Sequence, residues 1–211
     1  MKNTKLIRFV SSFVLLPAVT MSGASASQPA SAVVDSGNTN QVVLLEKLNI
    51  AGKALVANKE EEAQAQAQAL REKKAEAIDT YFAKYDMPLE GTGLKMVEEA
   101  EKNGIDWRLL PAIAVRESTG GKHACKKVKN SFFGWGSCKI NFQSAEEAIE
   151  VVAKNLGGNN PNTDHHYAGK TTKEILQKYN PPSVVPRYAE QVMKIMDTIG
   201  EADLGVENTN A

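Results

Sequence analysis

Cysteine is scarce in this chain: 211 residues contain two, Cys125 and Cys138, and their spacing is not C-x-x-C. A thiol-redox motif is therefore not expected. Net charge is missing as well, with 25 basic residues against 25 acidic ones. Nothing in that balance suggests a nucleic-acid partner. No G-x-x-x-x-G-K-[ST] loop, H-E-x-x-H helix, calcium-loop pattern or G-x-S-x-G elbow is present. Nucleotide, metal and serine-nucleophile chemistry are not implied, and no cofactor is expected. Asp164, His165, His166 and Tyr167 form a polar cluster, but no third ligand stands at convincing metal spacing, so these histidines read as surface residues beside a turn.

Long apolar runs are equally rare. Phe9 to Val19 is too short for a comfortable membrane span. It follows Lys2, Lys5 and Arg8 and precedes Ala24-Ser25-Ala26, the layout of a cleavable secretory signal over residues 1–26. The expected location is extracytoplasmic, with membrane contact only as a precursor. No cysteine near the cleavage point suggests a lipid anchor. Cleavage removes three positive charges and no negative one, leaving a slightly acidic mature chain. In a secreted protein the lone cysteine pair is expected to form a disulfide, worth about 3 kcal/mol for so short a loop.

What is present is mostly helical. Residues 27–41 are rich in Ser, Ala, Gln, Gly and Asn and read as a flexible lead-in. Residues 42–85 read as a helical extension, with an apolar-patterned segment interrupted at Gly52 and then a polar run of high helix propensity. That run suits a spacer, a weak coiled coil, a linker or a docking arm for a protein partner. A helix-rich domain is expected over 86–200 and a loose tail over 201–211. Within the domain, Thr92 or Gly93 starts a helix that stops at Asn103-Gly104. Ser144 with Glu147, and Thr171 with Glu174, form two capping boxes. Pro186 opens a last helix whose stripe is Tyr188, Val192, Ile195, Met196 and Ile199, and Gly200 ends it.

The stretch that carries chemistry runs from Asp106 to Gly136. Asp106 can cap a helix from Trp107, in which Leu109, Leu110, Ile113 and Ala114 repeat at helical spacing and Pro111 invites a bend. Glu117 emerges at the end of that apolar wall. A carboxylate half inside such a wall loses hydration, which favours its protonated form and suits it to donate a proton near neutral pH. Phe133 reads as core. Trp135, between Gly134 and Gly136, divides evenly between core and a sugar-stacking groove.

An apolar helix ending in Glu117-Ser118, with Thr119-Gly120 next, then Asn130, Phe133-Gly134 and a late Tyr179-Asn180, resembles the lysozyme-like superfamily of bacterial cell-wall glycosidases. That superfamily includes lytic transglycosylases and peptidoglycan endo-β-N-acetylglucosaminidases, and the likeness covers roughly residues 86 to 200. F-F-G-W-G replaces the transglycosylases' G-L-M-Q-type stretch, and Pro181-Pro182 replaces their A-G after Y-N, which favours the glucosaminidase branch.

The resemblance implies a mainly α, α+β lysozyme-like fold and a hydrolase of peptidoglycan glycan strands. It makes Glu117 the catalytic acid, supported by Tyr179 with Tyr188 in reserve. Ser118, Asn130, Phe133, Gly134, Trp135 and Asp164 would be substrate-binding. A lytic transglycosylase or muramidase is the alternative within the class. A glycan-binding or structural module that kept the fold is the rival outside it, and a helical secreted protein sharing E-S by chance is the third.

Overall fold

The structure is a computed structural model that describes residues 36–203. The secretory signal at 1–26 lies outside these residues, as do the first part of the lead-in and the end of the tail. Two compact units divide the chain, Met1–Ala51 and Gly52–Ala211. Seven α-helices, one short 3-10 segment at Trp135–Cys138 and no strand occur among the described residues: α1 Ser36–Lys84, α2 Gly93–Asn103, α3 Leu109–Ser118, α4 Ala145–Leu156, α5 Asp164–Tyr167, α6 Thr172–Tyr179 and α7 Tyr188–Asp203. The mainly helical expectation holds. None of these helices is long and apolar enough to cross a membrane.

α1 begins at Ser36, inside the stretch read as flexible, and passes through Gly52 without a break. One glycine costs a helix only about 1 kcal/mol, too little to interrupt neighbours of high propensity. Its polar middle stays exposed, whereas Ala75, Ile78 and Phe82 near its end are buried in the core. There α1 does a second job. The Asp79 carboxylate accepts hydrogen bonds from the Gly91 and Gly93 N–H groups (2.9 and 3.0 Å) and so caps α2 in place of Thr92, whose hydroxyl donates to the Leu89 carbonyl instead. Gly93 is required for the approach, since a Cβ there would sit 2.4 Å from the Ala75 carbonyl oxygen. Gly104, at φ 67°, stops α2 in the left-handed conformation its sequence predicts.

α3 is the centre of the domain. It packs chiefly on α7, with α2 and α4 also in contact. Leu109, Leu110, Ala112, Ile113 and Ala114 are all fully buried, so the helix buries every side rather than one face. Each buried Leu or Ile contributes about 1.5–3 kcal/mol through apolar burial. The helix starts at Leu109, two residues later than expected. Asp106 braces the preceding turn, accepting from the Arg108 N–H and pairing with the Arg108 guanidinium at 2.7 Å. Pro111 consequently falls in the first turn, where its missing N–H leaves no gap.

Smaller corrections have similar causes. Thr171 and Glu174 form the full capping box. Ser144 accepts from the Glu147 N–H, but the Glu147 carboxylate reaches back to the Gln143 N–H and leaves that box half closed. Pro186 stands before α7, separated from it by Arg187 at φ 66°. α7 runs through Gly200 to Asp203; that glycine is a packing position, where a Cβ would lie 3.1 Å from Arg108 Nη1.

Candidate active site

α3 exits through Thr119 at φ 53°, with the Thr119 and Gly120 N–H groups donating to Val115 and Ala114 (2.9 and 3.1 Å). This sharp exit holds Glu117, half-buried, on the last turn. Ser118 next to it is buried. Its hydroxyl lies 2.6 Å from the Phe132 carbonyl and 3.1 Å from that of Ala114, and it accepts from the Gly121 N–H at 2.9 Å. Ser118 therefore stitches the helix end to the following loop and does not face a ligand, contrary to its expected substrate contact.

That loop is clasped by the Cys125–Cys138 disulfide, whose Cα atoms are 5.9 Å apart. A neck above it is tied by two strandless pairings, Phe142 N–H to Lys129 carbonyl and Asn130 side-chain amide to Phe142 carbonyl (3.2 and 2.9 Å). Asn130 sits at φ 51°; its amide closes the loop rather than reaching for a sugar. Phe133 is fully buried, as its core reading requires, so its side chain cannot contact substrate. Its carbonyl oxygen is another matter, because it accepts the Tyr179 hydroxyl.

Around Glu117 the two carboxylate oxygens have different surroundings. Oε1 accepts the Tyr188 hydroxyl at 2.6 Å. Oε2 lies over Gly134, so close that a Cβ built there would stand 2.6 Å from it, at a backbone φ of 63°. Tyr188 is buried on α7 and lies parallel to Tyr179, with ring centres 6.0 Å apart and planes at 13°. Arg116 covers the Tyr188 ring at 5.7 Å and donates to the Gln191 amide oxygen at 2.9 Å. The tyrosine held in reserve is thus the one bonded to the acid, while Tyr179 is bonded to the loop.

Burial, then the neighbouring Glu117 charge, pushes the Tyr188 hydroxyl far above the usual tyrosine range, and its hydrogen bond to Glu117 adds to this. Burial of its hydroxyl end also pushes Tyr179 well up, with Glu117 and Tyr167 contributing. Both phenols stay protonated at neutral pH and act as hydrogen-bond donors.

Beside this cluster opens a cleft of about 350 Å³ lined by Gly134, Trp135, Gly136, Ser137, Tyr167 and Tyr179. Trp135 is partly buried, packs against the core and leans on Tyr179 (5.7 Å) and Tyr167 (6.3 Å), and it also lines the cleft. Three aromatic rings on one concavity offer apolar faces to a ring-shaped ligand. A second cavity, about 290 Å³ between α2 and α4, is lined by Glu99, Lys102, Asn103, Glu150, Lys154 and Asn159. Glu99 there is already held by Lys95 and Lys102 (2.9 and 3.3 Å), and the walls offer no aromatic face.

Tyr167 escaped the sequence reading, which placed it in a surface polar cluster. It is buried, and the short α5 turns it inward while leaving Asp164 exposed. Asp164 bonds the His165 N–H and does not line the cleft. Arg116 was missed too, and nothing in its local sequence distinguishes it from a solvated arginine. No cluster of three or more potential metal ligands occurs among the described residues.

Residues 93–201, just over half of the chain, match the Glucosaminidase family model, described as mannosyl-glycoprotein endo-beta-N-acetylglucosaminidase. No curated protein and no solved structure matches the chain.

Proposed function

Since the chain belongs to the glucosaminidase family, we propose that it is a secreted hydrolase of the β-1,4 glycan backbone of peptidoglycan, with Glu117 as general acid. The observation that carries the reading is the unequal carboxylate. Oε1 is fixed by Tyr188, which leaves Oε2, above Gly134 near the aromatic cleft, to deliver the proton.

The steps follow from that geometry. A glycan strand lies in the cleft with a pyranose face on Trp135. Glu117 Oε2 passes its proton to the glycosidic oxygen as the C1–O bond breaks, and the Tyr188 hydroxyl steadies the carboxylate that results. A two-carboxylate scheme needs a second acid near the ring. Glu147 is occupied at the start of α4 and Asp164 is exposed beside His165, which favours assistance by the substrate's own N-acetyl carbonyl. In that route the carbonyl oxygen bonds to C1 as the leaving sugar departs. Water then adds at C1, giving its proton back to Glu117 and reopening the ring formed by the acetamide. Tyr179, whose hydroxyl donates to the Phe133 carbonyl, would orient that acetamide by accepting its N–H.

Mass analysis of purified peptidoglycan digested by the protein tests the assignment. Reducing N-acetylglucosamine ends are expected. Reducing muramic ends would make it a muramidase, and anhydro-muramic ends a transglycosylase. A folded protein that pellets with the wall and releases nothing would be a binding module. The family description also names a mannosyl-glycoprotein substrate, so a high-mannose glycopeptide is the necessary comparison.

Tyr188→Phe removes one hydrogen bond to a charged group, worth about 1.5–3 kcal/mol. The expected loss in kcat is about 10- to 100-fold, with little change in KM. The same variant has a signature in stability. The folded chain holds the Tyr188 proton more tightly than the unfolded chain, whose tyrosines titrate near pH 10. That contribution is complete below about pH 10 and is lost as pH rises further. Denaturant melts should therefore fall less steeply above pH 10 for Tyr188→Phe than for the parent; parallel curves would mean that the hydroxyl is not held in this way.

A further inference from the structure

Between Glu117 and Glu146 the chain has no Asp or Glu but five lysines, Lys122, Lys126, Lys127, Lys129 and Lys139, within a sequence whose formal net charge is zero. All five are exposed. None makes an ion pair among the described residues, whereas Lys74, Lys95, Lys102 and Lys173 all do. The disulfide draws two of them together. Lys126 and Lys139 each follow a bonded cysteine, so their backbones lie within about 14 Å of each other. The same loop supplies the cleft rim. Gly134 to Ser137 line the cleft, and the Lys139 N–H donates to the Gly136 carbonyl at 3.2 Å.

A solvated face normally interleaves charges of both signs, as α1 does. Here five like charges sit on one exposed stretch that a covalent clasp closes and that also supplies the cleft rim, and it holds no acid. At physiological salt the screening length is about 8 Å, so neighbouring lysines act on an approaching polymer together.

We infer that this lysine loop is an anionic-glycan subsite of the cleft, recognising carboxylates carried as lactyl and peptide substituents on the strand. It rests on the glycosidase reading for its placement and adds the substrate's charge to it. A neutral glycan of the glycoprotein type gives the loop nothing to bind. An acidic strand is drawn to the rim while a sugar ring lies against the open side of Trp135.

The test is co-sedimentation of the full chain carrying Glu117→Gln, which prevents cleavage, with purified wall sacculi, sacculi whose carboxyls are amidated, and chitin. Lys126→Gln, Lys127→Gln and Lys129→Gln are then added together, with a thermal melt to show that the fold persists. The amount of native sacculi needed for half-binding is expected to rise about tenfold for the triple variant and for the parent between 50 and 300 mM salt. Binding to chitin and to amidated sacculi should not change. Equal binding of the parent to native and amidated sacculi overturns the inference, as does a triple variant that binds like its parent. Binding that disappears once phosphate polymers are stripped from the wall overturns the carboxylate assignment. Should the Glu117-bearing parent cut no glycan while this binding pattern holds, the catalytic reading falls and the subsite stands.

Discussion

Glu117→Gln is expected to lower kcat on peptidoglycan by about a thousandfold or more, toward the upper end of what a positioned general acid supplies. The substitution keeps size and shape. An amide oxygen still accepts the Tyr188 hydroxyl at the Oε1 position, so the melting temperature should move by no more than a few degrees and wall binding should persist. What the amide cannot do is release a proton to the glycosidic oxygen. Reducing-end release with parent and variant, at matched binding, measures this directly. If the variant cut at the parental rate, Glu117 would not be the acid and the proton would have to come from elsewhere in the cleft.

The second large effect is expected at a residue with no side chain. Gly134→Ala forces an L-residue into a left-handed backbone at φ 63°, at a cost of about 1–2 kcal/mol. It also puts a methyl group 2.6 Å from Glu117 Oε2, nearer than atoms tolerate. The carboxylate must swing away, breaking its bond to Tyr188 and losing its aim. Activity should fall about 100-fold, the scale expected when a reacting group is misplaced by about 1 Å. Gly104→Ala separates the two causes. Its φ is 67° and a Cβ there meets nothing within 4 Å, so it carries the backbone strain alone. Comparable melting shifts with activity lost only at Gly134 are the expected pattern. Equal activity losses in both variants would place the effect in stability rather than in the acid.

Gly134 also shows how much of the site is legible in sequence. A family-like pattern marks the residue, but the reason for it, a carboxylate pressed against its backbone, exists only once α3 and the clasped loop meet. Ser118 and Asn130 illustrate the other side. They share the same pattern, yet their polar groups are used on Phe132, Gly121 and Phe142. A motif preserves residues that shape a cleft as readily as residues that touch a ligand, and spacing alone does not separate them.

The two tyrosines exchanged emphasis for a related reason. Tyr179 has a motif around it, while Tyr188 looks like one more apolar position on the stripe of α7. It is both, since its ring is core and its hydroxyl ends at Glu117. Helical order was legible wherever local signals decided it: Gly104 as a stop, Thr171 with Glu174 as a start, α7 by its stripe. It was misjudged where a distant partner decided instead. Asp79 gives no local signal for α2, since it caps that helix from twelve and fourteen residues away, and Gly200 lies beside Arg108 inside α7 instead of ending it.

The Cys125–Cys138 clasp has a temporal consequence. Four of the six residues lining the cleft lie inside the loop it closes, including the glycine under Glu117. In a reducing compartment the thiols stay apart, and that segment keeps its hydrogen-bonded neck, its bonds to Ser118 and Tyr179 and the buried Phe133, but loses its covalent tie. A newly made chain there would carry Glu117 on its helix beside a rim segment free of its covalent tie. Oxidation would then be what ties the two ends of the rim segment together, after the helices that carry Glu117 and the tyrosines.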